Sequence, residues 1–483
     1  MSQKLIHPTE VAKHVTEDSC WVALYGDVYD VTAFLQEHPG GSRAILRLAG
    51  RDATADYDPI HPPGILEETM KPIGKLEVDT KASSLQQRND IDPKVEEVVD
   101  LHDLLNLDEI EALATKKMSK KAWAYFYSAG DDLISKKLNN SVYRSILFRP
   151  RIFVDCRKCD TSTSLLGHRV GTPLYVSPTA TARLAHPTGE KGIAEGISSF
   201  GALQIMSNYA SLTPEQIVAD SAPGQIFGWQ LYVYKDRTRS EKEIAKINSM
   251  RNKIKFICLT LDSPVMGKRE DDERHGNAIL TREADVDPKS VKRKKVIINS
   301  FPGPALDLTW KSTLEWLSKH TDLPIVLKGL QTYEDAYLAM KCASVKAVVI
   351  SNHGGRSLDT ASPAVHTLLE IRKYCPEVFD RMEVWVDGGI KRGTDIVKAL
   401  CLGAKAVGVG RATLFGLGAG GVAGVERVYE ILQAEIETCM RLLGVENINQ
   451  LGPQYINSRA VERDIFDGDS SVANLDSWVK SNL

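Results

Sequence analysis

The sequence predicts an α/β chain: a (β/α)8 barrel (a TIM barrel) preceded by a small α+β domain. Three observations predict it. Eight short apolar runs alternate with helix-like stretches between residues 173 and 410, the pattern of a parallel sheet buried on both faces. Nearly every run ends in a polar or glycine-rich cluster, as expected where catalytic groups collect at one end of a barrel. Residues 1–79 follow another pattern, with brief strand-like runs and a histidine pair.

Within residues 1–79, Trp21–Tyr25 and Val28–Val31 read as two strands, with Gly26-Asp27 as their tight turn. Residues 80–102 are polar, poor in aromatics and contain Pro93, which reads as a linker or hinge. The barrel region runs from 103 to 483. Its strands are expected at Pro173–Ser177, Leu203–Ser207, Ile226–Val233, Phe256–Leu261, Pro324–Lys328, Ala347–Ser351, Glu383–Asp387 and Ala406–Gly410. The spacing breaks once, at the charged segment 268–305. A long insert after the fourth strand belongs on the catalytic face and reads as a mobile lid.

Composition excludes several classes. Apolar residues make up 43% and charged residues 25%, values of an ordinary globular protein. The net charge of −3 supplies no basic field for nucleic acid. No apolar run approaches the roughly 20 residues of a membrane helix. The eight cysteines lack a regular pattern and read as reduced thiols. Cys156 and Cys159 form an isolated CxxC with no partner pair, and Asp160 follows where a c-type haem site needs His.

The first candidate site is the pair His38 and His61. His38 opens His38-Pro39-Gly40-Gly41, and His61 follows after a short helical stretch. Two neutral imidazoles on opposite walls of an apolar pocket fill both axial positions of a haem iron, which suits electron transfer. The glycines let the backbone pass close to the ring. Residues 5–79 resemble cytochrome b5, which implies haem b held by His38 and His61.

The second candidate site is assembled from the strand ends: Thr179-Ala180, Ser207, Gln230-Leu231-Tyr232, Thr260-Leu261-Asp262, Lys328, Ser351–Arg356, Asp387-Gly388-Gly389 and Gly410-Arg411. The last two strands end in glycines with a cation, the usual phosphate cradle of this barrel. GxGxxG spacing is absent after every strand, which argues against a nicotinamide fold. His353 reads as a base near neutral pH. Asp262 is the candidate to orient it. Arg356 suits a substrate carboxylate, and Lys328 would place positive charge beside a ring that gains electrons.

Residues 103–460 resemble the FMN-dependent α-hydroxy-acid dehydrogenase family, whose signature is Ser351-Asn352-His353-Gly354-Gly355-Arg356. With the cytochrome b5-like domain in front, the chain is similar to the flavocytochrome b2 group of that family, the L-lactate dehydrogenases (cytochrome). The resemblance implies that His353 is the catalytic base, with Asp262 orienting it. Arg269, Arg356 and Tyr125 would bind the substrate carboxylate, and Tyr232 the substrate hydroxyl. Lys328 would stabilise negative charge on the flavin. Thr179, Ala180, Ser207, Gln230 and Thr260 would contact its ring and ribityl chain. Asp387, Gly388, Gly389, Lys391, Gly410 and Arg411 would hold the ribityl and phosphate.

The implied reaction is oxidation of an L-2-hydroxy acid, L-lactate to pyruvate in the first place, as a hydride or through a carbanion. Electrons would pass through haem b to cytochrome c, and the barrel would form a homotetramer. The alternative is a glycolate- or mandelate-type 2-hydroxy-acid oxidase using oxygen. Some positions depart from the family pattern. Ala129-Gly130 reverses the usual small pair, and Lys391 and Ala412 replace the usual Arg and Pro. The resemblance puts Tyr209 in the substrate side-chain pocket, where a lactate enzyme would have a smaller aliphatic residue. The N-terminus shows neither a signal nor a transit pattern, which points to the cytoplasm. The mitochondrial intermembrane space is the alternative that haem-bearing relatives suggest. Ser481-Asn482-Leu483 only loosely matches the peroxisomal tripeptide.

Overall fold

The computed structural model describes residues 4–38, 41–66, 70–77, 99–277 and 304–468. Most of the expected linker, the larger part of the expected lid and the C-terminal tripeptide lie outside these residues. Two units divide between Asp103 and Leu104.

The first unit is built on a five-stranded sheet in the order Leu5–Ile6, Gly74–Leu76, Asp27–Asp30, Ser19–Leu24, Val15–Thr16. Alternation along Ser19–Leu24 sends Cys20, Val22 and Leu24 into one apolar cluster with Tyr29, Leu35 and Leu66. Ala23 points to the other face, with Ile6, Val11 and Val28. The expected hairpin is present, but its turn lies one residue earlier. Leu24 pairs with Asp27, leaving Tyr25 (φ 54°) and Gly26 (φ 81°) as the two turn residues. Two consecutive left-handed residues match the twist of a hairpin, so Asp27 is free to join the strand.

The second unit contains the barrel. Its strands are β1 (Leu174–Val176), β2 (Leu203–Met206), β3 (Phe227–Leu231), β4 (Ile254–Thr260), β5 (Ile325–Leu330), β6 (Val345–Ile350), β7 (Glu383–Asp387) and β8 (Ala406–Val409). All neighbours are parallel, and β8 closes the ring by pairing with β1. Each strand falls within the predicted run or extends it by a residue or two. Alternate residues fill the interior: Tyr175, Leu203, Ile205, Phe256, Cys258, Val326, Ala347, Val349, Trp385 and Ala406. Trp385 is the largest of them. Its ring lies 5.4 Å from that of Tyr175 and 5.5 Å from that of Phe256, the latter edge-on. These rings need room. A Cβ placed at Gly228 would lie 2.3 Å from the Phe256 ring, so the strand position that faces it carries no side chain.

Filling the barrel this way turns the remaining strand residues outward and leaves the C-terminal strand ends for polar groups. Removing the central ring should therefore cost stability without touching those ends. Trp385→Ala is expected to lower unfolding free energy by about 3–5 kcal/mol, read from the denaturant midpoint of the barrel transition. A loss below about 1 kcal/mol would mean that the barrel interior repacks.

Candidate active site and haem pocket

The loop after β6 carries His353, and Asp262 lies two residues past the end of β4. His353 Nδ1 lies 2.8 Å from Asp262 Oδ1. Burial pushes the Asp262 carboxyl up, but the charges of His353 and Lys328 and the hydrogen bond from His353 outweigh it and hold it below the ordinary range. An ionised carboxylate only accepts, so His353 Nδ1 donates and Nε2 keeps its lone pair for a substrate proton. The imidazole is 25% exposed while the Asp262 side chain is fully covered, as suits a base and the group that orients it. The backbone is strained here: His353 (φ 57°), Gly354 (φ 66°) and Gly355 (φ 76°) are all left-handed. Ser351 Oγ fixes the turn by accepting from the His353 N–H at 3.1 Å.

The same hydroxyl accepts from Lys328 Nζ at 2.9 Å. Lys328 is buried and lies 3.3 Å from Asp387 Oδ2, which also accepts from Ser177 Oγ at 2.9 Å. Burial pulls the Lys328 amine down, yet Asp387 and Asp262 together hold it above its usual value. Lys328 and Thr260 are paired across β4 and β5, and Gln230 on β3 pairs with Cys258, two residues before Thr260 on β4. Gln230 Oε1 accepts from Asn208 N at 3.0 Å and from Ser207 Oγ at 3.3 Å. Gln230 Nε2 and Thr260 Oγ1 are buried with no partner. Unmade hydrogen bonds in a buried site cost about 1–3 kcal/mol each. Adjacent strand ends therefore present polar atoms suited to the edge of a flavin ring, with a charged lysine beside them.

On the other side of the site, cations gather at the end of the helix Lys120–Tyr127. Arg356 Nη1 donates to Tyr125 O and Ser128 O, both at 2.9 Å. Arg411 Nε donates to Phe126 O at 3.0 Å, and its Nη1 and Nη2 to Gly354 O at 3.0 Å. Burial, with the positive charge of Arg269 nearby, pushes Arg356 down to about 9 and Arg411 down to about 10. Both stay charged at neutral pH. Arg269 is 11% exposed, its Nε is buried without a partner, and Tyr125 lies between it and Arg356, with ring distances of 6.0 and 5.4 Å. Burial and the charge of Asp262 raise the Tyr232 hydroxyl, which keeps it a donor. Its ring stacks on Tyr209 at 5.4 Å.

The phosphate cradle is only partly as expected. Gly388 (φ 99°) and Gly389 (φ 76°) turn tightly after β7, and Gly410 leads into the helix that starts at Arg411, where backbone N–H groups favour an anion. Thr179 packs beside Gly410, and Thr181 N donates to Tyr209 O at 3.1 Å just past Ala180. Lys391, however, pairs with Asp108 and lies 3.3 Å from Glu111. Carboxylates more than 250 residues earlier thus claim it, which the loop sequence alone does not reveal. The sequence reading also missed three supports: Ser177; the reciprocal amide pair Asn139–Asn352, 2.8 Å in both directions; and Lys136, whose Nζ donates to Tyr127 O at 2.7 Å. Only the asparagine inside the SNHGGR motif carried any signal.

In the first unit, His38 and His61 face each other with ring centroids 5.9 Å apart. Two metal–nitrogen bonds of about 2 Å plus two ring half-widths need about 6 Å. Each Nδ1 bonds a backbone carbonyl: His38 to Gly41 O at 3.2 Å and His61 to Tyr57 O at 3.0 Å. That fixes the tautomer and leaves Nε2 as the ligand atom. Burial lowers His61 to about 4, so it is neutral, as a ligand must be. The surrounding wall is apolar, with Leu35, Ile45, Leu46 and Leu66. Gly41 is left-handed, with φ 81°; Pro39 and Gly40 lie outside the described residues. No described helix is long and apolar enough to cross a membrane.

Both parts of the chain match known families. Residues 114–458 match the FMN-dependent dehydrogenase family, and residues 7–77 match the cytochrome b5-like heme/steroid binding domain. The L-lactate dehydrogenase (cytochrome) of Saccharomyces cerevisiae is 38% identical, covering 95% of this chain and 80% of its own. Glycolate oxidase of Spinacia oleracea is 35% identical, over 75% of this chain and all of its own. Among solved structures, a flavocytochrome b2 variant aligns with a TM-score of 0.69 at 35% identity, covering 79% of this chain and 94% of that one. A mandelate oxidase variant aligns at 0.63 and 31% identity, covering 73% and 98%. This chain belongs to the FMN-dependent dehydrogenase family, carries a cytochrome b5-like domain ahead of its barrel, and has FMN and haem as its cofactors.

Proposed function

We propose that this protein oxidises an L-2-hydroxy acid, L-lactate to pyruvate, and passes the electrons through haem b to cytochrome c as a homotetramer. The observation that carries the reading is the oriented His353–Asp262 pair beside a cluster of buried arginines. The two-domain relative that oxidises lactate supports the choice of substrate and acceptor. We propose the divisions 1–79, 80–102 and 103–483, with the middle segment as the hinge of the haem domain.

FMN would supply a two-electron acceptor, and haem held by His38 and His61 a one-electron carrier. Arg269 and Arg356 hold the substrate carboxylate, which fixes C2 relative to His353. Tyr232 donates to the substrate hydroxyl. His353 Nε2 takes a proton as two electrons leave C2, as a hydride or through a carbanion. Asp262 stabilises the imidazolium that results. Lys328 keeps its charge through the reaction and lies where negative charge grows.

A second reading has one observation in its favour. Tyr209 stacks on Tyr232, and a large ring in the side-chain pocket suits a shorter acid such as glycolate, with oxygen as acceptor.

Anaerobic spectra before and after L-lactate separate the readings. Flavin bleaching together with sharpened haem bands is the expected result. Bleaching without haem reduction, with rapid peroxide formation in air, would favour the oxidase. His353→Ala is expected to keep FMN bound while kcat falls by at least about 10²- to 10⁴-fold; normal turnover would remove His353 as the base. Tyr209→Leu is expected to raise the ratio of kcat/KM for L-lactate over glycolate about tenfold. An unchanged ratio would mean that Tyr209 does not meet the substrate side chain.

A further inference from the structure

Lys136 lies in the first turn of the helix Ile134–Arg144. Asp359 satisfies the start of that helix, accepting from Asp132 N, Ile134 N and Ser135 N at 3.1, 3.2 and 2.8 Å. The Lys136 side chain is therefore not needed there, and it runs back toward the cation cluster. Its half-buried amine lies 2.9 Å from the centre of the Tyr127 ring and donates to Tyr127 O at 2.7 Å. Arg356 and Arg411 bond the neighbouring carbonyls of Tyr125, Phe126 and Ser128.

Three cations thus occupy four successive carbonyls, and no described carboxylate forms an ion pair with any of them. Burial, then the charge of Arg411, pushes the Lys136 amine down to about 7. The charge of Glu111 favours both Lys136 and Arg411, but Glu111 is shared with Lys391, so the three clustered cations are left under-compensated. The grouping calls for anions, and two are at hand in the family reaction. Arg356 shares the Tyr125 ring with Arg269 at the substrate end. Lys136 feels Arg411 more than any other charge, and Arg411 begins a helix beside the glycine turn at the phosphate end. Lys391, the other cation of that loop, is held by Asp108 and Glu111.

We propose that Lys136 is the second cation of the flavin-phosphate site, taking with Arg411 the place that Lys391 leaves by pairing with Asp108 and Glu111. This rests on the reading that Gly388–Gly389 and Arg411 hold the phosphate. A phosphate monoester carries about −1.5 to −2 charges at neutral pH, enough to balance both cations. Bound, it would bring the Lys136 ammonium back toward full charge.

Riboflavin, which lacks the phosphate, is the natural control. Full-length protein is stripped of flavin and titrated with FMN and with riboflavin by fluorescence quenching. The unsubstituted chain is expected to bind FMN far more tightly. Lys136→Met, which keeps the apolar stem over Tyr127, is expected to weaken FMN about tenfold or more and leave riboflavin unchanged. Lys136→Arg should recover most of the loss, and Lys391→Met should cost less than Lys136→Met. Equal binding of FMN and riboflavin by the unsubstituted chain would sink the phosphate placement itself. Full discrimination retained in Lys136→Met, or equal loss of both flavins, would overturn the assignment of Lys136 alone, as would a larger loss in Lys391→Met.

Discussion

Four successive carbonyls at the end of one short helix organise the anion-binding half of this site. Tyr125, Phe126, Tyr127 and Ser128 lie where the helix Lys120–Tyr127 runs out of its own N–H donors. Such carbonyls usually turn to water. Here they take Arg356 from the loop after β6, Arg411 from the start of the last long helix, and Lys136 from the next helix along. The negative end of the helix dipole favours all three. Side chains from distant parts of the chain are held in place before any ligand arrives, so little conformational entropy remains to be lost on binding.

The other half of the site is built on the opposite rule. There each basic side chain has a carboxylate: the His353 imidazole has Asp262, and the Lys328 ammonium has Asp387. Ser351 Oγ joins the two pairs by accepting from Lys328 and from the His353 backbone. Paired charges do not attract free anions strongly, but they hold a proton acceptor and a fixed positive charge at set positions. The site is thus divided by charge balance. On the proposed function, the uncompensated side would bind and orient anions, and the compensated side would handle the proton and the electrons. Preorganised charge of this kind is the largest contribution most enzymes make to a reaction of this type.

The same division explains what could be read from the sequence. The barrel was legible because burial on both faces makes every strand an apolar run, and because the polar residues that end each run have no other place to go. His353, Asp262 and Lys328 stood out for that reason, Asp262 as the first polar group after β4, Lys328 near the end of β5 and His353 within a glycine-rich motif. For Lys391 the loop sequence was incomplete, because adjacency in a loop does not decide a charge's partner; Asp108 and Glu111 reach it from a helix before the barrel. Lys136 was illegible. A lysine on a helix normally marks a solvated face, and nothing in its neighbourhood along the chain shows that its stem runs back to Tyr127. The hairpin turn moved by one residue because Tyr25 accepts a left-handed conformation that propensity alone assigns to Gly and Asp.

The haem pocket follows from the same economy of backbone groups. His38 and His61 each bond one ring nitrogen to a carbonyl of their own segment, Gly41 and Tyr57. Their rings face each other with centroids 5.9 Å apart, close to what two metal–nitrogen bonds and two ring half-widths need. Tyr57 also stacks on His61 at 3.9 Å, nearly parallel, which restrains the ring against rotation. As haem ligands, His38 and His61 would leave no position for oxygen or substrate and would require little movement when the charge on the metal changes. Oxidation of a hydroxy acid releases two electrons at once, whereas a pocket of this kind passes them singly. A chain that carries both sites separates the two tasks by construction: the barrel ends hold groups placed to move protons, while the small domain holds groups placed to stay still.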